Sequence, residues 1–141
     1  MRHVAVASLC LALLSCALLV GSPSRAEAQT VTDQAIVDEA RSWIGTPYGA
    51  YGADCSGFTS LVYQEFGGYL PDDPADQSSY GYPSEAEAGD LVFFDEAGYG
   101  ISHVGIATGY GTVIHASTYY GAVVGTPIDL VPGYVGAADF L

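Results

Sequence analysis

Three side chains in this 141-residue chain have the types and spacing needed for nucleophilic acyl transfer: Cys55, His103 and His115. That chemistry requires a thiol to attack a carbonyl carbon, an imidazole to take and return the proton, and a polar partner to fix the imidazole's orientation and tautomer. Cys55 stands in Asp54-Cys55-Ser56-Gly57-Phe58, a polar turn that opens into Phe58, Leu61, Val62, Glu65 and Phe66. These five follow the spacing of one helix face, and Gly67-Gly68 marks a stop. The spacing therefore puts Cys55 at a helix N-terminus, where unpaired backbone N–H groups and the positive end of the helix dipole are expected to favour thiolate. Cys10 and Cys16 belong to an apolar N-terminal segment, so the folded domain is expected to carry one thiol and no internal disulfide. A lone cysteine is often only a small buried residue. The two histidines give this one a chemical context.

The histidines fall in two alternating runs, Ser102 to Thr108 and Thr112 to Ser117, joined by Gly109-Tyr110-Gly111, which reads as a β-hairpin. With a three-residue loop, Thr108 faces Thr112 and His115 lies opposite Gly105, two residues from His103. Both imidazoles then project from one face as diagonal neighbours, and a slip of one residue would place them on opposite faces. Gly105 has no side chain to block His115. Val104, Ile106, Ile114 and Ala116 share the other face and are expected in a core. In this arrangement Cys55 is the nucleophile, His103 the base and acid, and His115 the orienting partner. One Cys and two His with a water could also form an open zinc site, but neither a His-Glu-x-x-His nor a Cys-x-x-Cys spacing is present. A thiol-redox role would need a resolving cysteine. No metal and no cofactor are expected.

Several elements must hold these residues. Thr32 or Asp33 can cap a first helix with Ile36, Ala40, Trp43 and Ile44 on one face, ended by Gly45-Thr46-Pro47. Tyr48 to Ala53 is a Gly- and Tyr-rich loop leading to Cys55. Tyr69 to Glu87 reads as a long irregular surface loop. The unbroken apolar run Leu91-Val92-Phe93-Phe94 predicts a strand buried on both faces, and further strands are predicted at Val123 to Ile128 and Tyr134 to Leu141. Helices precede strands, so the fold class is α+β, with N-terminal helices packed on an antiparallel sheet.

Residues 1–28 read as a secretory signal peptide: Arg2 and His3, an apolar run from Val4 to Val20, a Gly21-Ser22-Pro23 break, and Ala26-Glu27-Ala28 as a cleavage site. Leu13-Leu14-Ser15-Cys16 also resembles a lipoprotein box that would place an acyl chain on Cys16, and the apolar run approaches the length of a membrane anchor. The break and the cleavage site favour export, with no stable span after processing. Residues 29–141 then form a single domain. That part has fifteen Asp or Glu and one cation, Arg41, a balance that repels nucleic acid and anionic surfaces. No nucleic acid is expected as a partner, and a monomer is expected.

The motifs Gly45-Thr46-Pro47-Tyr48, Asp54-Cys55-Ser56-Gly57-Phe58, Leu70-Pro71, Gly89-Asp90-Leu91-Val92-Phe93-Phe94, Ser102-His103-Val104-Gly105-Ile106 and Val113-Ile114-His115-Ala116 together resemble those of the NlpC-type papain-like cell-wall peptidases. The resemblance implies a Cys-His-His triad on Cys55, His103 and His115. It implies that Tyr48 lines the site near the nucleophile and that Asp54, Ser56 and Ser102 meet the substrate. It further implies a secreted or periplasmic cysteine endopeptidase acting on peptidoglycan stem peptides, typically between D-glutamate and a diamino acid. A related acyltransferase branch is circularly permuted, with its histidine before its cysteine, and the chain order here favours a peptidase. A non-catalytic wall-binding module on the same fold is the alternative. Two departures stand out: Asp72-Asp73 replaces the Arg and Ser or Thr that many relatives carry after Leu-Pro, and the aromatic before the nucleophile is displaced to Tyr51.

Overall fold

The computed structural model of the chain describes residues 21, 22 and 24–140. The apolar run Val4 to Val20, the acylation candidate Cys16 and most of the expected signal peptide lie outside these residues. Helix α1 spans Arg25–Ser42, so it begins well before the expected caps at Thr32 and Asp33 and runs through Ala26-Glu27-Ala28. Alanine and glutamate are strong helix formers, which lets the helix extend across that stretch. Ile36, Val37 and Ala40 form its buried face and Trp43 is half-buried. Ile44, expected on the same face, is 50% exposed instead. The helix has already ended at Ser42, and the turn that follows, with Ile44 N–H donating to Arg41 at 3.1 Å, swings that side chain outward.

Helix α2, Cys55–Gln64, buries Phe58 and Val62 as its spacing predicts, together with Ser56, Gly57, Thr59 and Tyr63. Trp43 meets Phe58 edge-on at 6.3 Å, joining α1 to α2. The stretch expected to be irregular contains two elements. Helix α3, Pro74–Ser78, is capped by Asp73, whose carboxylate accepts from the Asp76 N–H at 3.0 Å. Strand β1, Tyr82–Ser84, pairs along one edge of the sheet. An Asp cap followed by Pro at the first helical position is a start signal readable in the sequence. What fixes α3 in place is Gln77, fully buried, which takes Thr59 Oγ1 at 2.8 Å and donates to the carbonyls of Pro71 and Ser56 at 2.8 and 3.1 Å.

The remaining strands are β2 Leu91–Phe94, β3 His103–Ala107, β4 Thr112–Ser117, β5 Ala122–Pro127 and β6 Tyr134–Asp139. They form one antiparallel sheet in the order β1-β6-β2-β3-β4-β5. This is the expected α+β architecture. The β3–β4 hairpin has the predicted register, with Ile106 opposite Ile114 and Ala107 opposite Val113. Leu91, Phe93, Val104, Ile106, Ile114, Ala116 and Val123 pack with α1 and α2 in the main core. The opposite face carries a smaller cluster of Val92, Phe94, Ala107, Val113, Val131 and Ala137, which is why β2 is apolar throughout. Alternation places His103 and His115 on this second face.

Candidate active site

Local chain geometry sets the nucleophile. Asp54 caps α2, its carboxylate accepting from the Gly57 N–H at 2.7 Å. A β-carbon at Gly57 would collide with the Gly52 carbonyl, so the turn that presents Cys55 needs glycine there. Cys55 is half-buried, free, and the only cysteine among the described residues. Its Sγ lies 3.9 Å from the Ser102 carbonyl, at the start of β3 and next to His103 in sequence.

The hairpin sets the imidazoles. His103 and His115 are 6% and 4% exposed, and Nε2 of His103 stands 2.8 Å from Nδ1 of His115. A β-carbon on Gly105 would stand 2.8 Å from that of His115 and 2.8 Å from the Ile114 carbonyl oxygen, so the close pairing requires glycine at 105. The other nitrogen of His115, Nε2, is 2.9 Å from Thr126 Oγ1. Two tautomer sets satisfy the chain, and in the one that a base at His103 requires, His103 donates from Nε2 to His115 Nδ1 and His115 donates from Nε2 to Thr126. Nδ1 of His103 is then the nitrogen that can accept a proton. Thr126 lies diagonally from His115 across the β4–β5 pairing, in which His115 faces Val124. Sequence reasoning did not single it out, although alternation along β5 separates Val124 and Thr126 from Val123 and carries that signal.

Electrostatics correct one expectation. Burial, then the Asp54 carboxylate, push the Cys55 thiol up to about 11, against the opposing pull of the Ser56 and Val104 backbone N–H groups. Thiolate is therefore disfavoured at rest, because the helix N-terminus is outweighed by desolvation and a nearby negative charge. Burial lowers His103 to about 4, and burial with His103 as neighbour lowers His115 to about 4. At neutral pH the site rests with a protonated thiol and neutral imidazoles.

The other expected site residues divide. Tyr48 is beside the nucleophile: its hydroxyl is raised by burial and by Cys55 and Asp54, and the Cys55 backbone N–H opposes that rise. Ser56 is buried, and its hydroxyl donates to Asp72 at 3.0 Å. Ser102 is exposed, and its hydroxyl accepts from the Glu96 N–H at 3.3 Å. Asp72 thus anchors the first turn of α2. Among the described residues, no group of three or more His, Cys, Asp or Glu is arranged to hold a metal.

A sequence profile described as the NlpC/P60 family matches residues 41–129, which include Cys55, His103, His115 and Thr126. The chain belongs to the NlpC/P60 family. A probable endopeptidase of Corynebacterium glutamicum is 45% identical over 113 residues, covering 71% of this chain and 51% of that protein. A Bacillus cereus protein named gamma-D-glutamyl-L-lysine dipeptidyl-peptidase is 32% identical over 110 residues, 71% of this chain and 33% of its own length. The chain thus spans about half or less of these curated relatives. The solved NlpC/P60 domain of the peptidoglycan hydrolase SagA superposes with a TM-score of 0.67 at 38% identity, covering 77% of this chain and 98% of that one. The NlpC/P60 assignment accounts for the helix-on-sheet architecture found here.

Proposed function

We propose that this NlpC/P60 domain is a secreted cysteine endopeptidase that hydrolyses peptidoglycan stem peptides. The observation that carries the reading is the Cys55 sulfur 3.9 Å from the Ser102 carbonyl, one residue before His103, whose Nε2 is 2.8 Å from His115 Nδ1. In the proposed reaction, Cys55 Sγ attacks the scissile carbonyl carbon while its proton passes to His103 Nδ1. Tyr48, beside the Cys55 N–H, is placed to donate to the oxygen that becomes negative. His103 then returns the proton to the departing amine, leaving a thioester. Water, deprotonated by His103, hydrolyses that thioester and regenerates the thiol. His115 and Thr126 hold the ring through these steps. The neutral resting state fits this order, since the proton moves as the carbonyl is attacked.

The finer reading is cleavage between D-glutamate and the diamino acid, supported by the B. cereus relative's name and by the motif pattern. Export, cleavage at Ala28 and a domain over 29–141 belong to the same proposal, since stem peptides lie outside the cytoplasm. Among the described residues no helix is long and apolar enough to cross a membrane. The test is digestion of purified peptidoglycan with the fragments weighed by mass spectrometry. Wild type should release fragments ending at D-glutamate, and Cys55→Ala should fold normally and release none. Full activity in Cys55→Ala, or loss of wild-type activity on adding a chelator, would overturn the mechanism.

A further inference from the structure

Next to His115 lies a cavity of about 500 Å³. Its walls include Glu96, Tyr119, Tyr120, Leu130 and Pro132, and His115 itself forms part of the lining. The cavity therefore opens on the triad from the side of its third member. Glu96 connects it to the nucleophile as well, because its negative charge is felt by both the Cys55 thiol and the Tyr48 hydroxyl. Tyr119 and Tyr120 stand edge-to-face, with ring centres 4.9 Å apart and both side chains exposed on the β4–β5 turn.

A carboxylate beside two tyrosine rings in a partly apolar hollow is suited to an ammonium group: the carboxylate supplies the charge and the ring faces supply cation–π attraction. The described residues include two cations, Arg25 and Arg41, neither of which lines the cavity, and Arg41 is paired with Asp38 on α1. We propose that the cavity beside His115 is a subsite for a substrate amine, received by Glu96 with Tyr119 and Tyr120, so that the domain selects stem peptides carrying an unacylated ammonium group. This rests on the peptidase reading and specifies its substrate. Two amines of a stem peptide have the required chemistry, the N-terminal α-amine and the side-chain amine of the diamino acid. Cross-linked peptides, in which the side-chain amine is acylated, would be disfavoured if the second is the one received.

The test uses a synthetic stem peptide with both amines free and its two mono-acetylated forms, with kcat/KM measured for each. In the wild type, acetylating one of the two amines should lower kcat/KM about fivefold to tenfold, the range set by a partly exposed charged contact. The amine whose acetylation matters identifies the source. Glu96→Gln should bring that ratio close to one, and the double variant Tyr119→Leu/Tyr120→Leu should reduce it. Glu65→Gln, which removes the same charge at the far end of α2, should leave the ratio unchanged. Equal rates for all three peptides, or a ratio in Glu96→Gln equal to that of the wild type, would overturn the subsite while leaving the peptidase reading intact. If no peptide is cleaved, the peptidase reading falls. The subsite is then decided by the Kd of Cys55→Ala protein for the same three peptides: tighter binding of one free-amine form supports it, and equal or unmeasurable binding overturns it.

Discussion

At the level of single side chains, the chain from Cys55 through His103 and His115 to Thr126 assigns unequal jobs. His103 must exchange a proton in each step, so His103→Ala should lose about 10² to 10⁴ in kcat/KM. His115 needs only to hold the far nitrogen of His103, and an amide can do that. His115→Asn or His115→Gln should therefore retain more activity than His115→Ala in the same assay, and wild-type activity in His115→Ala would remove His115 from the mechanism. The lowered imidazoles add a pH signature. A base near 4 stays unprotonated well below the ordinary 6.5, so kcat/KM should hold to about pH 5 before falling. Stability responds at higher pH than activity does. Between about 6.5 and about 4 the unfolded chain binds protons at both histidines and the folded chain does not, so stability falls as pH falls through that window. The urea midpoint should drop between pH 6.5 and 5, and drop less in His103→Ala/His115→Gln. An equal slope in the two proteins would contradict the burial assigned to these rings.

Among the elements, the β3–β4 hairpin carries the site, and its register depends on Gly105. Gly105→Ala puts a methyl against His115 and the Ile114 carbonyl. It should cost about 1–3 kcal/mol in the urea midpoint and lower kcat. Gly136→Ala, with open space around it, should do neither; equal effects from the two would mean that the close approach at 105 is not limiting. This hairpin was also the most legible part of the sequence, because a tight Gly-flanked loop and strict alternation leave a single face for both histidines. The β2 strand and the α2 start were readable for similar reasons, an unbroken apolar run and a polar turn opening into helically spaced apolar residues. What could not be read were features set by tertiary partners. Gln77 is polar in sequence and became a buried anchor because the first turn of α2 and Pro71 each offered it a carbonyl. Thr126 acquired its partner through the β4–β5 register, which the alternation along β5 does not fix by itself. The thiol's protonation followed the depth at which α2 docks and the charge beside it, and the helix terminus was outweighed.

For the molecule as a whole, net charge is the dominant long-range term. The full chain carries a formal −13 at pH 7, and the expected mature part is more acidic still. Self-repulsion opposes compaction, and salt shortens the Debye length from about 10 Å at 0.1 M to about 3 Å at 1 M. Melting temperature should therefore rise with sodium chloride over that range, and a flat or falling trend would show that repulsion is not limiting. The seam where the Cys55 sulfur touches the start of β3 has a different consequence. A thiol held up to about 11 while α2 is docked returns to about 8.5 once the helix lifts away. At pH 8.5 the open state is then about half thiolate and the closed state carries very little, so alkylation proceeds mainly through openings. Cys55 is thus a built-in clock for undocking of helix from sheet. Its labelling rate against denaturant distinguishes a local excursion of the active site from unfolding of the entire domain.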